Sequence, residues 1–169
     1  MIRPEHAADL ASIRDIHRAA FGGEDEAVLV DRLREDGMVI ASLVAEDAVR
    51  LAGHILFTRL DVKGGQGSIP AAALAPLAVL PEAQKQGIGS ALVHAGIQAC
   101  RDAGMHAIIV LGHPDYYPRF GFSAALARRL TAPFSGPAFM ALELVPGALG
   151  ARATVTYPSA FGIPSDPGP

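Results

Sequence analysis

The chain has 169 residues, half of them apolar and 18% charged, with a formal net charge of −3 and one cysteine. This is one domain's length with enough apolar residues for a real core. The acidic balance excludes a phosphate-backbone surface, and no apolar run approaches the roughly 20 residues of a membrane span. One cysteine cannot form an internal disulfide, and the opening MIRPEHAADLASIR carries charges and no apolar h-region. The expectation is a cytoplasmic protein with neither nucleic acid nor membrane as partner, one domain over 1–150, and a strand and tail over 151–169.

Met1 to Arg3 reads as a short edge strand stopped by Pro4. Leu10, Ile13, Ile16/His17 and Ala20 then mark one face of a helix ending near Phe21-Gly22-Gly23. A second helix is expected over Glu24–Glu35, with Val28, Leu29 and Leu33 inward and acids in its first turn, where the helix dipole favours them. Met38–Val44 and Val49–Leu60 are apolar runs either side of Ala45-Glu46-Asp47-Ala48, a hairpin pattern. Asp61–Ser68, with Gly64-Gly65-Gln66-Gly67, reads as a loop; the glycines fit a hairpin connection better than a phosphate cradle. Leu74–Leu80 is a short apolar run ended by Pro81, which predicts a buried strand. The next helix is expected from about Gly87 to Ala103, with Ile88, Ala91/Leu92, Ala95 and Ala99 as a buried stripe of small residues. His106–Leu111 predicts another buried strand. Pro114 and Pro118 leave room only for a short helical turn before Phe120. Ala138–Val145 is the last strand expected before a Pro/Gly-rich tail from Ala160. The order implies an α+β, mixed-sheet layout with a helix packed on the sheet.

The junction at Gln84–Ser90 carries the functional signal. Strand, Gly-bearing turn and helix in that order form a recurrent anion site. The first four amides of a helix lack intrahelical partners, the macrodipole adds about half a positive charge, and glycine removes the Cβ that would hold a phosphate away. The dinucleotide fingerprint is excluded because Leu92 stands where its third glycine belongs, and no Gly-Lys-Ser/Thr string supplies a P-loop. A phosphate-bearing ligand held by main chain is the expected reading, with a plain tight turn as its alternative.

The string Gln84-Lys85-Gln86-Gly87-Ile88-Gly89 resembles the acetyl-CoA-binding signature of the GNAT N-acetyltransferases, Gln/Arg-x-x-Gly-x-Gly/Ala. Downstream, Tyr117 stands four residues before Gly121-Phe122, as a tyrosine often does in that family. LGHPDYYPRFGF is similar to the wording of a bacterial subgroup, the YhbS-like predicted acetyltransferases. The resemblance spans roughly residues 2–145. It implies the GNAT-like acyl-CoA N-acyltransferase fold, with a mostly antiparallel central sheet and helices on both faces. It also implies direct acetyl transfer from acetyl-CoA to a primary amine of a small molecule or peptide, no metal, and compatibility with a homodimer. Leu77, Ala78 and Val79 would hold pantetheine and the acetyl carbonyl. Gln84, Lys85, Gln86, Gly87, Ile88, Gly89 and Ser90 would hold the diphosphate.

By the same resemblance Tyr117 is the general acid for the leaving thiolate, with Tyr116 as its alternative. A phenol is a reasonable donor to a thiolate. Pro76 fits a strand that parts from its neighbour, because proline cannot donate to a ladder. The chain departs from the family in lacking the asparagine that usually precedes this tyrosine, Val110 lying inside the strand seven residues upstream, and in having no Asp or Glu within Leu74–Leu80 to serve as base. Glu24, Glu26, His54 and His113 are the candidates for that role. Cys100, late in the helix, reads as packing, Arg128-Arg129 as a solvated pair, and the histidines show no metal-binding spacing. The alternative function is a non-catalytic acyl-CoA-binding domain.

Overall fold

Alternate residues of the central strands point to opposite faces, and both faces are covered by helices. The computed structural model describes residues 1–163. In chain order these form β1 (Ile2–Pro4), a 3-10 turn at Ala7–Asp9, α1 (Leu10–Phe21), α2 (Asp25–Glu35), β2 (Val39–Glu46) and β3 (Leu51–Gly64). Then come β4 (Gly67–Ser68), β5 (Ala71–Val79), α3 (Ile88–Asp102), β6 (Ala107–Leu111), α4 (Ala124–Ala127), β7 (Leu130–Thr131), β8 (Phe139–Glu143) and β9 (Ala153–Thr156). The expected tail from Ala160 begins as a 3-10 turn over Ser159–Phe161, and beyond Ile163 it lies outside the described residues.

The main sheet runs β1-β2-β3-β5-β6-β8, with β9 pairing β3 and β7 at its side. Every neighbouring pair along the main path is antiparallel except β5–β6, which α3 joins as a crossover. On one face α3 packs over Ile55, Phe57, Ala72, Leu74, Ile108 and Val110. Ala71, Ala73, Ala107 and Ile109, one position out of step, point to the other face. Being buried on both sides, β5 and β6 read as unbroken apolar runs. On that second face α1 lies across β3 and β5, and α2 packs against α1.

Several expectations shift. β3 extends to Gly64, so Asp61–Gly64 is strand rather than loop: Leu60 and Val62 are buried while Arg59, Asp61 and Lys63 face solvent. The glycines 64–67 make the β3–β4 hairpin, with Gly64 opposite Gly67. α2 buries Ala27, Val30 and Leu33, leaving Val28 exposed, so its inward face is rotated one residue from the expected one. The buried stripe of α3 is Leu92, Val93, Gly96 and Cys100 rather than the alanines, and Ala91 is exposed. Gly96 is the point of closest approach, since a Cβ there would lie 2.1 Å from Phe57 Cε2. A strand does stand within 151–169, as β9, which pairs with β3 from Asp61 to Gly64, so Ala138–Val145 is not the last one before the tail.

Two features of β5 prepare the site. Between the pairs Phe57↔Leu74 and Ile55↔Leu77, β5 carries one residue more than β3, a bulge at Ala75-Pro76 where the proline has no N–H for the ladder. β5 also pairs with β6 only from Ala71 to Leu74; from Ala75 onward its one ladder partner among the described strands is β3. The sheet therefore opens beyond Leu74 and Val110.

Candidate active site

The opening holds a cleft of about 700 Å³ lined by Leu77 and Val79 of β5, the turn residues Ala83, Gln84, Lys85 and Gly87, the start of α3, and His113, Tyr116, Tyr117 and Arg119. Ten expected cofactor residues are thus mostly brought to one place, with two exceptions. Ala78 is buried and absent from the lining, its side chain facing away from its two neighbours. Gln86 lines a separate depression beside β1 and donates weakly to Glu82 O, 3.4 Å away.

The turn explains the donor set. A 3-10 turn at Pro81–Ala83 ends in Gln84, whose Nε2 donates to Val79 O at 3.0 Å and ties the turn to β5. Lys85 and Gly87 both adopt positive φ, 62° and 85°, curling the chain into a concave run of amides. Among the described residues, none of the N–H groups from Lys85 to Ser90 has an acceptor, and α3 has no side-chain cap. Six consecutive amides are therefore left without acceptors beside the positive end of a 15-residue helix. The two glycines serve different ends. Gly87 supplies its left-handed backbone, and nothing lies within 4 Å of an added Cβ. At Gly89 a Cβ would meet the Tyr116 hydroxyl at 3.3 Å.

Opposite the turn, the 3-10 turn Tyr117–Phe120 sets two tyrosines with different environments. Tyr116 Oη is 3.0 Å from Ser90 Oγ, and the Arg119 guanidinium lies 4.6 Å from the centre of the Tyr116 ring. Tyr116 is thereby tied to the start of α3. Tyr117 is 6% exposed, packed edge-on to Phe122 and beneath the bare backbone of Gly112. Its hydroxyl has no partner among the described residues and the residue lines the cleft, the placement expected of a donor to a ligand. Burial, with Tyr116 beside it, pushes the Tyr117 phenol up to about 12. It therefore stays protonated well past neutrality.

The base candidates scatter. Glu24 is exposed and paired with Arg18 at 2.8 Å. Glu26 lines an opening between α2 and the Ser159–Phe161 turn. His113 lies in the cleft next to the tyrosines. His54 is wholly buried and belongs to a polar chain the sequence did not announce. Its Nδ1 is 2.8 Å from His17 Nε2, its Nε2 is 2.7 Å from Ser42 Oγ, and Ser42 hydrogen-bonds Glu5. Arg34 grips the Glu5 carboxylate with Nη2 at 2.7 Å and Nε at 2.8 Å. Burial would raise the Glu5 carboxyl, but His54 Nε2 at 3.6 Å and the hydrogen bonds from Arg34 and Ser42 outweigh it and hold the group well below the usual range. His17 is pulled down to about 3 by burial, His54 and Arg34, and burial also lowers His54 against the opposing pull of Glu5. His17 Nδ1 is buried without a partner, a condition that costs about 1–3 kcal/mol.

Cys100 is fully buried and its thiol raised to about 12 by burial, which leaves it inert. Arg128 and Arg129 are exposed. Among the described residues no group of three or more His, Cys, Asp or Glu could hold a metal, and no helix is long and apolar enough to cross a membrane.

A sheet that opens between the parallel strands β5 and β6, with a run of amides lacking acceptors at the start of the following helix, defines a class. The acetyltransferase (GNAT) domain profile matches residues 1–125, and the chain belongs to the GNAT family, the acetyl-CoA-dependent N-acyltransferases. Among individual relatives, it is 34% identical over 165 residues to the uncharacterized N-acetyltransferase YhbS of Escherichia coli K12, covering 95% of this chain and 98% of that protein. It is 44% identical over 117 residues to the uncharacterized N-acetyltransferase YjhQ of the same strain, a match spanning 68% of this chain and 65% of YjhQ. The crystal structure of E. coli YhbS in complex with CoA superposes with a TM-score of 0.88 over 96% of this chain and 92% of that one. A GNAT acetyltransferase from Brucella melitensis in complex with acetyl-CoA, 34% identical, gives 0.79 over 95% and 97%.

Proposed function

We propose that this chain binds acetyl-CoA in the cleft between β5 and α3 and transfers the acetyl group directly to a primary amine of a small molecule or peptide. The observation that carries the reading is the run of six unsatisfied amides, Lys85 to Ser90, placed across one cleft from the free hydroxyl of Tyr117. The complexes of the YhbS and Brucella proteins with CoA and acetyl-CoA support the choice of ligand.

In this reading the diphosphate sits on the amides of 85–90, with the Lys85 ammonium beside it, and pantetheine runs along β5 where β6 has parted from it. Main-chain N–H groups near Leu77–Val79 polarise the acetyl carbonyl. Fixed donors aimed at the developing oxyanion contribute to rate because they need no reorganisation. As the C–S bond breaks, the sulfur takes a proton from Tyr117. A phenol raised by burial would be a poor acid toward a thiol in water, but the thiolate forms in the same buried pocket and is raised by the same surroundings. No protein nucleophile is required.

The test is calorimetry and turnover together. CoA should bind the native protein, bind at least ten-fold more weakly when Gly87 and Gly89 are both replaced by valine, and be released from acetyl-CoA in the presence of a primary amine. CoA binding equal in both proteins removes the cradle from the scheme. Binding without release against a broad amine panel favours the non-catalytic acyl-CoA-binding alternative.

A further inference from the structure

The charge of the cleft runs against that of the chain. The formal net charge is −3, yet no Asp or Glu is among the residues lining the cleft, whose cationic side chains are Lys85 and Arg119. Among the described residues neither has a carboxylate within ion-pair distance, whereas Arg3, Arg14, Arg18, Arg34 and Arg50 are each spent on one.

Arg119 is exposed but held in place. Its Nε donates to Tyr116 O at 2.9 Å, its Nη2 donates to Asp115 O at 3.4 Å, and the guanidinium lies over the Tyr116 ring. These contacts use two of the five guanidinium N–H groups, and among the described residues Nη1 has no acceptor. The ring beneath is anchored in turn. Tyr116 meets Tyr117 and Phe120 edge-on, at 5.1 and 5.2 Å between ring centres, and its hydroxyl is 3.0 Å from Ser90 Oγ. Phe120 packs edge-on to His94, one turn further along α3. The turn that carries Arg119 is thus docked on the start of α3, and one aromatic ring separates the guanidinium from Gly89 and Ser90.

Resting on the transferase reading, we propose that Arg119 closes the diphosphate site from the wall opposite the amide run, with Tyr116 as the platform that positions its guanidinium. A diphosphate diester carries two negative charges and has oxygens on every side, so amides along one side leave others to be met. Nη1 donates to a phosphoryl oxygen turned away from Lys85–Ser90, a charge-assisted bond suited to a planar guanidinium. Lys85 and Arg119 together match the two charges, which leaves the 3′-phosphate of CoA outside the clamp. Two carbonyls and a ring fix the guanidinium before any ligand arrives, so little side-chain freedom is lost on binding.

The experiment is calorimetry with CoA and with dephospho-CoA, which keeps the diphosphate and lacks the 3′-phosphate. The proteins are the native chain, Arg119→Met, Arg119→Lys, Tyr116→Leu and the double variant Tyr116→Leu/Arg119→Met. Arg119→Met keeps the stem and removes the charge. It should weaken both ligands alike, roughly 10- to 100-fold, with the melting temperature of the empty protein unchanged. Arg119→Lys should fall between it and the native chain, since a point charge replaces the fork. Tyr116→Leu should also weaken both ligands, and adding Arg119→Met to it should cost less than Arg119→Met does alone. Native affinity in Arg119→Met overturns the clamp, as does Arg119→Lys binding no better than Arg119→Met. A loss confined to CoA moves the contact to the 3′-phosphate and overturns the diphosphate assignment, and losses that simply add overturn the platform. Failure of the native protein to bind either ligand is a separate outcome, which overturns the transferase reading and the clamp with it.

Discussion

At Lys85 a bulky residue occupies a backbone state that glycine holds more comfortably, with φ of 62°. The left-handed conformation costs an L-residue roughly 1–2 kcal/mol. Lys85→Gly should therefore stabilise the fold by up to about 1 kcal/mol while weakening CoA binding, whereas Lys85→Ala should weaken binding with no gain in stability. Chemical denaturation and calorimetry on the two variants separate backbone from charge. Tyr117→Phe keeps the edge contact with Phe122 and removes only the hydroxyl. It should leave CoA affinity within two-fold and reduce turnover by about 10²-fold or more. Since burial holds the phenol at about 12, its deprotonation should produce no alkaline fall in rate below about pH 10. At this scale the sequence was informative about the proposed site where its residues are contiguous. Gln84–Ser90 and Tyr117 could be picked out because they stand in short motifs, whose spacing along the chain is visible without the fold. Glu5, His17, Arg34, Ser42 and His54 come from five parts of the chain and share no spacing, so only the fold could bring them together. Arg119 stood inside the quoted motif, yet nothing in its spacing said that it would lie over the ring of Tyr116.

Among the elements, α3 and β3 show why helix faces were legible only approximately. The periodicity of α3 admits two neighbouring stripes, one through the alanines and one through Leu92, Gly96 and Cys100. Phe57 decides between them, because its ring fills the space over Gly96. Gly96→Ala drives a methyl into that ring and should cost several kcal/mol, at or above the usual 1–3 kcal/mol of overpacking. Phe57→Leu should recover part of the loss in the double variant, as read from urea denaturation midpoints. If the two changes simply add, the contact is not what fixes the helix at this height. β3 was cut short in the sequence reading because Asp61 and Lys63 look like loop residues; they are the solvent side of an alternating strand that β9 covers. The order of elements and the nature of each long one were legible from apolar period. The crossover that makes β5–β6 parallel was visible as strand–turn–helix–strand, but the bulge at Ala75-Pro76 was legible only as a proline out of place.

For the molecule as a whole, the buried histidines predict a response to acid. His17 has a folded pKa near 3 against about 6.5 when unfolded, so between those values the unfolded chain binds a proton that the folded chain refuses. Stability should then fall as pH drops below about 6.5, by up to about 1.4 kcal/mol per pH unit for each such histidine, with His54 acting in the same direction. Glu5, depressed by its partners, adds a further loss once pH falls below the ordinary carboxylate value of about 4.3, where the unfolded side chain takes up its proton first. Melting curves from pH 7.5 to 4 should show this decline, and a variant with His17 replaced by leucine should show a shallower one. An equal slope in both proteins would mean that the pair is not the source.

The place where β6 leaves β5 has a consequence for hydrogen exchange. A strand of the interior normally exchanges its amides only by global unfolding, yet from Ala75 to Val79 one flank of β5 has no ladder neighbour. In the empty protein the amides on that flank should exchange with deuterium as fast as loop amides, in the midst of a slowly exchanging sheet. On the proposed binding mode, with pantetheine lying along that flank in place of a polypeptide strand, saturation with CoA should slow them by orders of magnitude.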